Sequence, residues 1–330
     1  WLKPFWLEPS WLSGQWPCAG GGLGMSAMHW VSRTFFVPTP LRYNYEELAL
    51  QRAMRRADAA FGLATGLVYA WAVALPCAPD WSALPSGPPR PVVASAAPWA
   101  PALRWAAAVL ALLPMWQHTV VLPTPTKGDN AFIVKRVFGG WVYLTRWTLF
   151  MQGLHHLATA LEAVADERKA TWIVLLTHEA TVLLSLLGVF VSVQYFSLVR
   201  GHPLCRAEEQ KWIARGLPFR ALQISSHVPC GVLGLLDLLV LKDRRALVEG
   251  FVSLGGLARL ARGMALFCTL YVCLLHINYS LTRAWPYSFM VNFGRSPVVW
   301  AQFVLGQVAV FLVIFLVIVV GACQLLPAAW

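Results

Sequence analysis

Charge is what this sequence has least of. Of its 330 residues only 12% are Asp, Glu, Lys or Arg, about half the ~25% of an ordinary soluble domain. A chain that is also 58% hydrophobic cannot cover a water-facing surface, which excludes a soluble globular fold. Acids are the scarcer sign, 15 against 26 bases, and the formal net charge is +11. The seven cysteines contain no CxxC pair, so neither a zinc site nor a disulfide framework is expected. Four of them, Cys230, Cys268, Cys273 and Cys323, fall in apolar runs, where a thiol acts as a small filler. There is no Gly-rich phosphate loop, no GxSxG elbow and no internal repeat. His155–His156 alone is not the set of spaced histidine boxes a di-metal oxygenase needs. No metal and no cofactor are expected.

What the sequence has instead is long apolar runs. About 20 apolar residues cross a bilayer core, and the runs at 59–78, 103–122, 140–164, 171–199, 221–241, 263–277 and 298–323 meet or approach that length. The second is interrupted by Arg104, Pro114 and His118, and the sixth is short unless it starts nearer Ser253. The fold class expected is therefore all-α, a polytopic transmembrane bundle of about seven spans, with six as the alternative. The positive charge sits in loops beside the spans, as in RAMRRA at 52–57 and KDRR at 242–245. That placement reflects orientation and anionic headgroups rather than a nucleic-acid partner.

Three regions follow. Residues 1–57 form an N-terminal segment with a surface amphipathic helix near 44–57, which Asn44 can cap and whose Glu46 and Glu47 suit a helix N-terminus. Within it Met25 is the expected start, and the acid-free stretch after it weakly resembles a mitochondrial transit segment. Residues 58–98 hold an extra first span and a Pro-rich connector, so the main membrane domain is expected over 99–330. By loop parity, 123–139, 200–220 and 278–297 emerge on one side together with the N-terminus. That side carries more Lys and Arg, which predicts that it faces the cytoplasm or a mitochondrial matrix.

Polar residues inside the spans carry the functional signal. In the third, at about 100° per residue, Thr145, Thr148, Gln152, His156 and Thr159 fall within about 60° of one line. For each alone the simpler reading is glue between helices. For the whole stripe it is a cavity, because a polar face is costly against lipid. Arg146 points elsewhere and is expected to snorkel. In the fifth span Gln223, His227 and Gly231 share a face, and Asp237 lies too far along the same helix to orient His227. Thr145 and His227 each lie one or two turns in from loops on the same side, so hydroxyl and imidazole are expected at similar depth. His118 and His276 end spans on that side too.

Three segments together resemble a known family. GGWVYLT (139–145) opening a span, the His227 segment, and WPYSF (285–289) are similar to the androgen-induced membrane protein family. VLLSLLGVFVSVQYFSLVRGHP (182–203) also resembles the family's span before the histidine-bearing one. The resemblance covers roughly residues 103–323 and leaves the first span as an addition. Two spacings differ: Trp141 follows the glycines one residue sooner, and His276 stands about three residues further from Trp285. The resemblance implies a multi-span hydrolase of fatty acid esters of hydroxy fatty acids, with Thr145 as nucleophile and His227 as its base. Substrate is expected to contact Thr148, Gln152, His156, Gln223, His276, Trp285 and Tyr287, with Phe289 on the same rim and Gln152 or Gln223 as an oxyanion donor. The partners expected are membrane lipids and a lipid ester. The membrane expected is the endoplasmic reticulum or another endomembrane, with the mitochondrial inner membrane as the alternative. Two other readings compete. One is a non-catalytic accessory subunit of a larger membrane assembly. The other is a transporter using the stripe as its pathway, which the lack of an inverted repeat or broken helix pair disfavours.

Overall fold

Eight α-helices of more than ten residues order the part of the chain that a computed structural model describes, namely residues 45–77, 99–116, 139–162, 173, 174, 176–214, 219–242, 247, 255–283, 285–287, 290 and 296–320. They are α1 (Tyr45–Val68), α2 (Ala100–Trp116), α3 (Leu144–Glu162), α4 (Ala180–Gln194), α5 (Pro203–Ala214), α6 (Phe219–Leu236), α7 (Gly256–Thr282) and α8 (Pro297–Phe315). Among the described residues there is no strand. Five helical stretches are long and apolar enough to cross a membrane: Asp58–Cys77, Ala180–Val199, Phe219–Leu241, Gly256–Thr282 and Pro297–Ile318. With α2, of 17 residues, and the more polar α3, of 19, the bundle has about seven spans. His118, Phe289, the connector 78–98 and residues 1–44 lie outside the described residues.

Four helices continue into a π-helical turn: α1 at Tyr69–Ala74, α4 at Tyr195–Val199, α6 at Asp237–Leu241 and α8 at Leu316–Val320. A π turn widens the helix, shifts the phase of everything after it, and is frequent at functional sites. Tyr69, Tyr195 and Asp237 each begin one, and each meets a histidine described below.

The boundaries differ from the sequence expectation where charge is neutralised inside the bundle. α7 starts at Gly256, seven residues before the apolar run, although Arg259 lies in between. The Arg259 guanidinium forms a buried fork on Glu179, with Nε donating to Oε2 at 2.9 Å and a terminal nitrogen to Oε1. A bidentate pair of this kind lets an arginine sit in a span. Arg104, only 2% exposed in α2, donates to the carbonyls of Thr159 and Leu241 at 2.9 and 3.0 Å. Those carbonyls lie near helix C-termini, where intrahelical donors run out.

The first span packs into the bundle. Ala72, Val73, Ala74 and Cys77 are buried, and Gly263 of α7 packs so closely that a Cβ there would meet Cys77 Sγ at 2.9 Å. The stretch expected as a separate surface helix at 44–57 is the first part of one continuous helix, Tyr45–Val68. Arg146 does not snorkel: it pairs with Asp58 of α1 at 3.1 Å and lies over the Trp141 ring at 4.9 Å.

α4 and α6 make the closest crossing. A Cβ on Gly188 would strike the Cys230 carbonyl oxygen and approach Gln152 Nε2 to 2.6 Å; one on Gly234 would reach Ser185 Cα at 2.7 Å. Small residues let backbones approach this closely in membranes, where packing and hydrogen bonds replace hydrophobic drive. Gly188→Ala is therefore expected to cost about 1–3 kcal/mol through overpacking. Gly306→Ala, where a Cβ meets nothing within 4 Å, is expected to be neutral. Thermal unfolding of both variants in detergent checks this, and equal melting temperatures would refute the close crossing.

Candidate active site

α3 and α6 run parallel, and polar contacts join them at two levels. At the first, Thr145 Oγ1 lies 3.0 Å from His227 Nε2, across 82 residues of sequence. At the second, His155 Nε2 lies 2.8 Å from Asp237 Oδ2, again across 82 residues. Ten helical residues, about 15 Å of rise, separate the levels on each helix. The equal offset means that one register of two parallel helices makes both contacts.

Thr145 sits in the first turn of α3, and its neighbours fix that turn. Tyr287 Oη accepts from the Leu144 N–H at 3.0 Å and lies 3.1 Å from Tyr271 Oη, which donates to the Val142 carbonyl at 3.0 Å. Trp141 Nε1 donates to Asp58 Oδ1 at 3.0 Å. The backbone on either side of the turn is thus tied to α1 and α7 before Thr145 is reached.

His227 is held on three sides. Its Nδ1 lies 2.7 Å from the Gln223 carbonyl oxygen. A carbonyl only accepts, so Nδ1 carries the proton and the Nε2 lone pair faces the Thr145 hydroxyl. The Tyr195 ring stacks on the imidazole at 3.7 Å between centroids, 18° from parallel. Ser192 Oγ sits beside the His227 carbonyl and accepts from the Gly231 N–H at 3.1 Å. A hydroxyl from α4 thus meets the α6 backbone at residues 227 and 231, beside Pro229, which has no N–H to give. A hydroxyl, an imidazole and an orienting acceptor thus stand in a row, an order that acyl-transfer chemistry can use.

The second histidine is arranged differently. Thr181 Oγ1 lies 3.0 Å from His155 Nε2 and donates to Asp237 Oδ2 at 2.7 Å, so hydroxyl and carboxylate converge on one ring nitrogen. Tyr69 Oη stands 3.0 Å from the opposite nitrogen, Nδ1. A base needs a free lone pair toward its hydroxyl, and here the carboxylate claims that nitrogen. His155 is 1% exposed, Thr181 0% and Asp237 2%. This level is a sealed structural lock, whereas Thr145 and His227 are half-buried.

The other residues proposed from sequence divide into two groups. Thr148, Gln152 and His156 face the bundle interior and are buried. Gln152 Nε2 donates to the carbonyls of Cys230 at 2.8 Å and Leu184 at 3.3 Å, which joins α3, α4 and α6. Gln223 contributes its backbone carbonyl to His227. Tyr287 supports the Thr145 turn rather than standing as a rim. His276 and Trp285 belong to a separate aromatic stack in which Trp285 lies between Tyr279 and Trp300, with His276 edge-on to both tryptophans at 5.5 Å. Among the described residues no group of three or more His, Cys, Asp or Glu could hold a metal ion.

Tyr195 and Ser192 were missed from sequence, although parity places the end of the fourth span level with the start of the fifth. His155 was passed over in favour of His156, and its partners Tyr69 and Thr181 lie on spans whose rotation the sequence does not show. No protein-family profile, curated protein or solved structure matches this chain.

The lock predicts an asymmetry. Asp237→Ala, which leaves the polar partners buried, is expected to destabilise by about 3–5 kcal/mol. Tyr69→Phe, which removes one hydrogen bond, is expected to cost about 1 kcal/mol. Unfolding curves in detergent rank the two, and the reverse order would refute the assignment.

Proposed function

We propose that this protein is an integral membrane ester hydrolase acting on lipid esters, with Thr145 as nucleophile and His227 as general base. The observation that carries the reading is the 3.0 Å contact between Thr145 Oγ1 and His227 Nε2, with Nδ1 tied to the Gln223 carbonyl. A threonine hydroxyl is a poor nucleophile until a base within hydrogen-bond reach takes its proton. The resemblance of GGWVYLT, the His227 segment and WPYSF to the androgen-induced family supports the same pair and favours fatty acid esters of hydroxy fatty acids as substrates.

The reaction follows from the tautomer. As Thr145 Oγ1 bonds to the ester carbonyl carbon, its proton passes to His227 Nε2. Collapse of the tetrahedral intermediate breaks the ester C–O bond, and His227 returns the proton to the departing alcohol oxygen. The acyl group remains on Thr145 until water removes it. Beside the pair, Val193, Ile224 and Val228 are exposed; an apolar margin of this kind suits entry of a lipid ester sideways from the bilayer. The host membrane we favour is the endoplasmic reticulum or another endomembrane.

A second reading is an accessory subunit of a larger membrane assembly. The observation favouring it is the Pro297–Ile318 helix, the most apolar of the candidate spans and the least buried.

Purified protein treated with a fluorophosphonate probe and a lipid ester separates the readings. Wild type is expected to label and to hydrolyse. Thr145→Ala and His227→Ala are each expected to lose roughly a thousandfold or more in kcat/KM, and Thr145→Ser to retain part. Labelling that survives loss of Thr145 refutes the nucleophile. An inert protein that purifies only with other subunits supports the second reading.

A further inference from the structure

Between the two levels, one ridge of α3 carries polar atoms that the protein does not satisfy. Thr148, Gln152 and His156 follow one another at steps of four residues and are 0%, 1% and 1% exposed. Thr148 Oγ1, Gln152 Oε1 and His156 Nδ1 are each buried without a hydrogen-bond partner. Gln152 is informative because both its N–H groups are spent on the Cys230 and Leu184 carbonyls, which fixes the orientation of the amide and leaves the oxygen as the orphan. At the far level Asp237 Oδ1 is also unpartnered. The row begins three residues from Thr145, and its steps amount to about 4.5, 6 and 6 Å of helix rise, spans that one or two water molecules bridge. A buried polar atom without a partner costs free energy, and bound water is the usual remedy where several such atoms adjoin.

The chemistry gives these atoms a use. The apolar margin beside Thr145 suits the ester and, after acylation, the acyl chain, so the second reactant needs another route. The turn above Thr145 is closed by Trp141, Tyr143 and Tyr287, the last two ring to ring at 5.2 Å. Among the described residues, the ridge offers a polar approach to Thr145 from the bundle interior.

We propose that Thr148, Gln152, His156 and Asp237 hold a file of bound water along α3, and that this file supplies the water that hydrolyses acyl-Thr145. That water attacks the acyl carbonyl carbon as His227 Nε2 takes its proton; the bond from carbon to Thr145 Oγ1 then breaks, and the proton returns to Oγ1 as the free acid leaves. The file thus hands water to the acyl carbon from the bundle interior, and acid goes out to lipid. Binding of the water rests on the unpartnered atoms alone, and its use in deacylation rests on the hydrolase reading.

Hydroxyl-radical footprinting of the full chain in lipid nanodiscs tests the file, because radiolysis generates radicals from bound water beside the residues that hold it. The His155–His156 peptide is expected to oxidise severalfold faster than Phe267, which is equally buried but in apolar surroundings. Thr148→Val is expected to slow that oxidation, while Thr65→Val, whose buried hydroxyl bonds its own helix at Phe61, leaves it unchanged. Histidines that oxidise no faster than Phe267 overturn the file, whatever the variants do. Burst kinetics with an activated ester test its use: Thr148→Val is expected to keep the acylation burst and to slow the following turnover by about tenfold. Equal turnover in Thr148→Val and wild type overturns the deacylation role. A wild type that forms no acyl-Thr145 overturns the hydrolase reading and leaves the footprint to be judged by itself.

Discussion

Inside a bilayer a polar group must find its partner within the protein, and that constraint sets the register of this bundle. α3 and α6 satisfy it twice at one sequence offset, through Thr145 with His227 and His155 with Asp237. Sliding one helix by a residue would break both contacts and leave two imidazoles, a carboxylate and a hydroxyl without their mates. The close α4–α6 crossing follows from the same register, since Gly188 and Gly234 stand where Gln152 has to reach the opposing carbonyls. The lock at the deep level can therefore be regarded as what holds the shallow pair at 3.0 Å.

The two histidines show how neighbours decide chemistry. Each has a threonine hydroxyl 3.0 Å from Nε2. At His227 the other nitrogen donates to a carbonyl, which leaves the lone pair toward the hydroxyl. At His155 a carboxylate takes the same nitrogen as the hydroxyl and a tyrosine takes the other. The first arrangement can accept a proton from its threonine, whereas the second only holds helices together. Exposure separates them in the same direction, because the lock is sealed and the shallow pair is half-buried.

Much of this was legible in the sequence where periodicity and span counting apply. Apolar run length marked a bundle of about seven spans, the helical period put Thr145, Thr148, Gln152 and His156 on one face, and loop parity set Thr145 level with His227. What was not legible depends on helix rotation and on charges that cancel across helices. The sixth run reads as short because Arg259 breaks its apolar start, and the Glu179 that neutralises it lies 80 residues away in sequence. Tyr69 and Tyr195 gave no signal because the histidine each meets lies on another helix, and which way a helix is rotated toward its neighbour cannot be read from its own sequence. The first span looked separate because a Pro-rich connector follows it, yet its Tyr69 completes the environment of His155.

Ser192 gives the fourth span a part in shaping the fifth. Beside Pro229 of α6, the Gly231 N–H is met by a hydroxyl from another helix, placed against the carbonyl of His227. A newly inserted α6 standing alone in lipid would lack that partner, and the stacked Tyr195 with it. The imidazole thus acquires its surroundings only when its neighbour arrives, so an unassembled chain would hold His227 without the serine and tyrosine that fix its place.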